Sequence, residues 1–134
     1  MKPFIMIPTY NERENIKILI DKILKLKIKN LEIVVVDDNS PDGTAEIVKD
    51  ISKKNKNVHL LLRTKNKGRG AAGKDGFIYC LEHGADIVVE MDADMSHDPK
   101  YIPSLIKELK NTDLVLGSRR VEGSEEIGRS GIRK

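Results

Sequence analysis

The chain has 134 residues, 24 of them Lys or Arg and 21 Asp or Glu, giving a formal net charge of +3. With 39% hydrophobic and 34% charged residues it has the length and apolar content of one globular domain, which excludes a disordered chain. One cysteine, no tryptophan, two phenylalanines and three tyrosines exclude a disulfide framework, a paired-cysteine metal site and the basic, aromatic-rich stripe that grips nucleic acid.

Short β-branched runs alternate with stretches of helical period. Phe4–Ile7 reads as a first buried strand. Asn11 followed by Glu14 resembles a capping box, ahead of a helix whose apolar face is Ile16, Leu19, Ile20, Ile23, Leu24 and Leu26. Glu32–Val36 is the second strand, and the turn Ser40-Pro41-Asp42-Gly43-Thr44 leads into a helix marked by Ile47, Val48 and Ile51. Val58–Leu62 is the third strand. The next helix has Ala72, Phe77, Ile78, Cys80 and Leu81 as its expected inner face and Gly84 as its stop, so Cys80 is expected to be a buried, inert thiol. Asp86–Glu90 is the fourth strand. Asp98-Pro99 signals a cap with proline at the first position of a helix carrying Ile102, Leu105, Ile106 and Leu109. Leu114–Leu116 is a fifth strand. Strand followed by helix, four times over, predicts an α/β sandwich with a mostly parallel sheet. No run of about 18 apolar residues is present to span a membrane, and the start MKPFIMIPTYNE is too short in apolar length for a secretory signal. The last stretch, GSRRVEGSEEIGRSGIRK, has no hydrophobic period, and the expectation is a chain cut short.

Ligands of an open parallel sheet bind outside the carboxyl ends of its strands. Here all five of those ends are polar: Pro8-Thr9-Tyr10-Asn11-Glu12, Asp37-Asp38-Asn39-Ser40, Arg63 to Gly70, Asp92 to Asp98, and Gly117-Ser118-Arg119-Arg120. Asp92-Ala93-Asp94 is the sharpest signal. Residues i and i+2 at a strand end point the same way, and two adjacent carboxylates repel unless a cation or proton lies between them. Hard divalent ions accept one or two carboxylates and complete their shell with phosphate and water, so the pair suits Mg2+ or Mn2+ against a diphosphate. Asp37 and Asp38 alternate in direction. Only one can therefore face a ligand well, where it could accept from a base or ribose, leaving the other to hold the turn; a pair that caps the following helix is the alternative reading. The loop Lys65–Gly70 has three cations and two glycines before a helix, which suits an anion, although it is no P-loop and a solvated basic turn is an equal reading. Arg119 is placed to clamp a phosphate, with Arg120 directed away. His97 reads as a loop or capping residue more readily than as a third metal ligand. His59 lies on a strand and His83 near a helix end, and no nucleophile elbow is present.

PTYNE at 8–12, VVVDDNSPDGT at 34–44, KGRGAAGKDGF at 67–77, MDADMSHDP at 91–99 and GSR at 117–119 together resemble a family 2 glycosyltransferase, most closely the dolichol- or polyprenol-phosphate mannose synthases. The resemblance implies a GT-A, Rossmann-like, three-layer nucleotide-sugar-binding sandwich over residues 1–120, with 121–134 a flexible segment leading into a missing acceptor-side region. It implies transfer of mannose from GDP-mannose to a dolichyl or polyprenyl phosphate with inversion. UDP-glucose-dependent glucosyl transfer, or a nucleotide-sugar-binding piece without activity, is the alternative. By position, Pro8, Tyr10, Glu12, Val36 (through its backbone) and Asp38 would line the nucleotide pocket. Asp92, Ala93 and Asp94 would meet the diphosphate, and Arg119 and Arg133 the sugar donor or its phosphates. Asp94 and Arg119 would be catalytic. Asp92 and Asp94, with Ser96 where some members have Gln, would hold Mg2+ or Mn2+. The implied partners are a nucleotide-sugar donor, a lipid phosphate acceptor and a membrane surface in the full-length form, with no nucleic acid, and the implied location is the cytoplasm or the cytoplasmic face of a membrane. A phosphate monoester with a second pKa near ~6 is already a nucleophile at neutral pH, so no general base is needed. Receiver domains and DxD phosphatases place their acidic residues after the first strand, where this chain has PTYNE.

Overall fold

A computed structural model describes residues 2–65 and 68–109. Within them lie strands β1 (Pro3–Thr9), β2 (Glu32–Asp37), β3 (Val58–Leu62) and β4 (Ile87–Glu90) and helices α1 (Ile16–Lys25), α2 (Thr44–Lys54), α3 (Arg69–Glu82) and α4 (Ile102–Leu109). The strands pair in parallel in the order β3-β2-β1-β4. This is the α/β sandwich that the alternation of patterns predicts. The predicted strand at 114–116 and the segment 121–134 lie outside the described residues. The chain steps outward from β1 to β2 to β3, then returns to the far side of β1 to lay down β4. Strand order therefore reverses between β1 and β4, and a crevice opens at their carboxyl ends.

Alternation along the strands divides the core in two. Ile5, Ile7, Ile33, Val35, Val58, Ile87 and Val89 face α1, α2 and α4, which supply Ile16, Leu19, Ile20, Ile23, Val48, Ile102, Leu105 and Ile106. Phe4, Met6, Val34 and Val36 face α3, which supplies Ala72 and Cys80. Cys80 is buried, and burial pushes its thiol up to about 12, consistent with an inert core role.

Two local expectations are corrected. The inner face of α3 is not the stripe of large apolar residues. Phe77, Ile78 and Leu81 are 39%, 42% and 53% exposed, while Ala72, Gly76 and Cys80, spaced by four, are buried. The reason is distance. A Cβ at Gly76 would stand 2.1 Å from Met6 Sδ and 2.8 Å from Val36 Cγ2, so α3 lies too close to β1 and β2 for anything larger than the stripe it has. Nor does α1 start with a capping box at Asn11 and Glu14. It starts at Ile16 behind Asn15, which makes no side-chain cap. The amides of Asn15 and Ile16 donate to the Glu12 carbonyl, and the amide of Asn11 donates to Ser40 on the neighbouring loop. A tertiary contact took the place of the local one. Other signals hold: Gly84 follows α3 with φ +87°, and Asp98 caps a 3-10 turn (Pro99–Tyr101) that runs into α4 by accepting from the Lys100 amide.

Candidate functional site

The β1–α1, β2–α2 and β4 loops meet over the crevice, around a cavity of about 160 Å3 lined by Pro8, Thr9, Tyr10, Glu12, Asp38, Ala72, Asp92, Ala93 and Asp94. Seven of these nine are residues singled out from the sequence: Pro8, Tyr10, Glu12, Asp38, Asp92, Ala93 and Asp94. Thr9 and Ala72 were not. Val36 is fully buried next to Pro8 in the sheet register and is not among the lining residues. Ser96 is exposed and also outside the lining, with its amide donating to Asp94 Oδ1 at 3.0 Å. Arg119 and Arg133, like Arg120, lie outside the described residues.

The paired acids at the end of β2 divide their work as their opposite directions require. Asp37 is fully buried and holds the turn: it accepts from the Thr9 hydroxyl at 2.6 Å and from the amide and hydroxyl of Ser40 at 2.8 and 2.7 Å. Asp38 faces the cavity. Its Oδ1 accepts from Arg63 Nη1 and its Oδ2 from the Gly68 amide at 2.9 Å. Arg63 stands directly after β3 with a side chain only 4% exposed, and its Nε donates to Asp75 of α3 at 2.9 Å. The hydrogen bonds to Asp75 and Asp38 raise the guanidinium above its ordinary value against the opposing effect of burial. In the sequence this arginine is one more residue of the loop after the third strand, with no distinct role. An arginine immediately after a strand that ends beside a buried acid was the available signal.

After β4, Ala93 is buried, and Asp92 and Asp94 flank it on the cavity. The loop is shaped by two further residues. His97 Nδ1 accepts from the Asp92 amide at 3.2 Å, which commits that nitrogen to the backbone and gives the ring the loop role expected of it. Met95 takes a left-handed φ of +68°, unusual for a residue with a long side chain, at the point where the chain bends away from Asp94. Among the described residues no group of three or more His, Cys, Asp or Glu is placed to hold a metal ion alone. Two carboxylates on one cavity could serve a hard ion that completes its shell from phosphate and water.

The loops are cross-tied. The amides of Asn11, Glu12 and Arg13 donate in turn to Ser40 Oγ at 2.8 Å, Thr44 Oγ1 at 3.0 Å and Asp42 Oδ2 at 3.1 Å. Arg13 Nη1 also donates to the Asp42 carbonyl at 3.0 Å. Burial pushes the Asp42 carboxyl up, but hydrogen bonds from the Thr44 hydroxyl and the amides of Arg13 and Thr44 outweigh it and hold the group below its ordinary value.

A parallel α/β sheet with an acidic, cavity-lined switch point is the architecture of a nucleotide-binding domain. The chain belongs to glycosyl transferase family 2, whose pattern matches residues 4–132. It is 41% identical over 127 residues to the undecaprenyl-phosphate mannosyltransferase of Micrococcus luteus, covering 95% of this chain and 52% of that protein. It is 46% identical over 127 residues to the dolichol-phosphate mannosyltransferase of Pyrococcus furiosus, covering 93% of this chain and 35% of the other. The chain thus spans about half or less of the length of these curated relatives. Among solved structures, the mannosyltransferase PcManGT of Pyrobaculum calidifontis, in complex with GDP-Man and Mn2+, superposes with a TM-score of 0.65 at 28% identity, covering 85% of this chain and 34% of that one. No helix among the described residues is long and apolar enough to cross a membrane.

Proposed function

We propose that the chain is the donor-binding part of a mannosyltransferase that takes mannose from GDP-mannose and passes it, with inversion, to a polyprenyl or dolichyl phosphate. The observation that carries this is the convergence of Tyr10, Glu12, Asp38, Asp92 and Asp94 on one cavity at the switch point between β1 and β4. The relatives support the sugar and the acceptor, because both carry lipid-phosphate mannosyltransferase names. PcManGT supports the donor and the ion.

In this reading Tyr10 and Glu12, with the Pro8 backbone, border the nucleoside. Asp38 takes N–H or O–H groups of the base or ribose through its carboxylate oxygens. Asp92 and Asp94 would hold Mg2+ or Mn2+, an ion that would supply positive charge against the leaving diphosphate. The Ala93 methyl keeps the strand end packed, so that its two neighbours stay on the cavity side. Ser96, Arg119 and Arg133 are proposed to add oxygen and cationic contacts to the ion and phosphates. The acceptor phosphate arrives as its own nucleophile, so no side chain here needs to remove a proton. The lipid acceptor places the reaction at a membrane surface, on its cytoplasmic side.

Calorimetric titration of the chain with GDP-mannose and Mn2+, followed by a transfer assay to polyprenyl phosphate, tests the proposal. EDTA should abolish transfer, and Asp94→Ala should lower it by on the order of 10²-fold, the scale of a lost electrostatic contact in a transition state. Tighter binding of UDP-glucose than of GDP-mannose would instead favour the glucosyl reading. Tight binding with no turnover would favour a binding module.

A further inference from the structure

Three successive amides of the β1–α1 loop, at Asn11, Glu12 and Arg13, have no partner within their own loop. Each is met by a side chain from the β2–α2 turn: Ser40, Thr44 and Asp42. None of these three side chains lines the cavity, whereas Tyr10 and Glu12 both do. The acceptors are themselves held. Ser40 Oγ donates to Asp37 Oδ1, which also takes the Thr9 hydroxyl, so the ends of β1 and β2 are tied through one buried carboxylate. Thr44 is fully buried, and its hydroxyl donates to Asp42 Oδ1 while accepting the Glu12 amide. With the Thr44 O–H directed at Asp42, the oxygen's lone pairs are left to accept, and one of them takes the Glu12 amide. Asn11 sits at φ +56°, a conformation with an intrinsic cost that the Ser40 contact offsets.

We infer that Ser40, Asp42 and Thr44 are positioning residues for the nucleotide: they act through the amides of residues 11 to 13 to hold Tyr10 and Glu12 in their binding orientation before the ligand arrives. The inference rests on the nucleotide-binding reading above. A loop fixed in advance has no ordering entropy to lose on binding, and releasing it lowers affinity without removing any contact atom. The latch is also independent of the ion, since neither Asp92 nor Asp94 takes part in these bonds.

The test is calorimetry with GDP and Mn2+ on the whole chain, with amide hydrogen exchange on the ligand-free protein. Thr44→Val keeps shape and removes the acceptor. It should weaken GDP by about tenfold, the upper scale of one lost hydrogen bond, and speed exchange at Glu12. Thr44→Ser should restore both to near the starting values. Ser40→Ala, at a partly exposed site, should weaken GDP severalfold and speed exchange at Asn11, which provides a second test if Thr44→Val folds poorly. Val48→Ala, in the α2 core, should lower the melting temperature and leave GDP affinity unchanged below it. If the starting protein binds GDP and both latch variants bind it equally well, the latch is not a positioning device and the inference falls alone. If affinity follows melting temperature across all four variants, the role is structural and the inference likewise falls. If the starting protein binds no nucleotide, the donor-site reading falls and the inference falls with it.

Discussion

On one face of the sheet, α1, α2 and α4 press Ile16, Leu19, Ile20, Ile23, Val48, Ile102 and Ile106 onto an isoleucine- and valine-rich surface. On the other, α3 is the one helix among the described residues, touching the sheet through Ala72, Gly76 and Cys80 and tied at its flank by Asp75 to Arg63. The first face buries far more apolar area and so contributes most of the hydrophobic stabilisation. The second buries little but sets a distance: small residues bring α3 close, and closeness puts Ala72 on the cavity and the Gly68 amide on Asp38. Large side chains here stabilise the fold, and small ones place the site.

If that division is right, substitutions on the two faces should differ in kind. Ile20→Ala, fully buried on the three-helix face, should cost about 3 kcal/mol in urea unfolding and leave GDP affinity in the folded protein within about twofold. A parallel loss of affinity would show that the face also shapes the site. Arg63→Met should cost nearly as much, about 3 kcal/mol, because it leaves the Asp38 carboxylate buried beside the cavity without its counter-ion. Unlike Ile20→Ala it should also weaken GDP. Asp38→Asn in the same chain should recover part of the stability and none of the affinity, a non-additivity expected of contacting groups.

Gly76→Ala is the sharper test of distance. Met6 can swing its thioether aside, but Val36 is β-branched and stiff, so α3 itself must move. The expected cost is about 2 kcal/mol, the scale of overpacking. Affinity for GDP should fall with it, by roughly the factor that separates a formed from a lost Gly68–Asp38 hydrogen bond. Unchanged affinity would mean that α3 covers the core without setting the site.

The strands, their parallel order of appearance and the acids that reach the cavity were legible because each follows from a short-range rule: short, continuous β-branched runs for β1 to β4, and opposite directions for Asp37 and Asp38. The resemblance of five separated motifs to one family supplied what spacing could not, namely that PTYNE and DADM meet. What escaped was tertiary. Arg63 reads as one more loop cation until β3 places it between Asp38 and Asp75. Asn11 reads as a cap until Ser40 takes its amide. The inner face of α3 was misjudged because hydrophobic periodicity weighs side-chain size, whereas a helix packed this close is chosen for its absence.

That misjudgement yields the smallest expected effect and a direct check on it. Were Leu81 an inward-facing residue, as its apolar neighbours suggest, Leu81→Ser would open a cavity and cost several kcal/mol, on the order of 2–5. At 53% exposure it has little to lose, and the change should stay within about 0.5 kcal/mol. Cys80, one position earlier, points into the sheet, so its thiol should resist alkylation in the native protein of either sequence. A destabilisation above ~1 kcal/mol in Leu81→Ser, or rapid native-state alkylation of Cys80, would mean that α3 is rotated about its axis from the position described. Gly76 would then no longer face Met6 and Val36, and the close approach that brings Ala72 to the cavity would be lost with it.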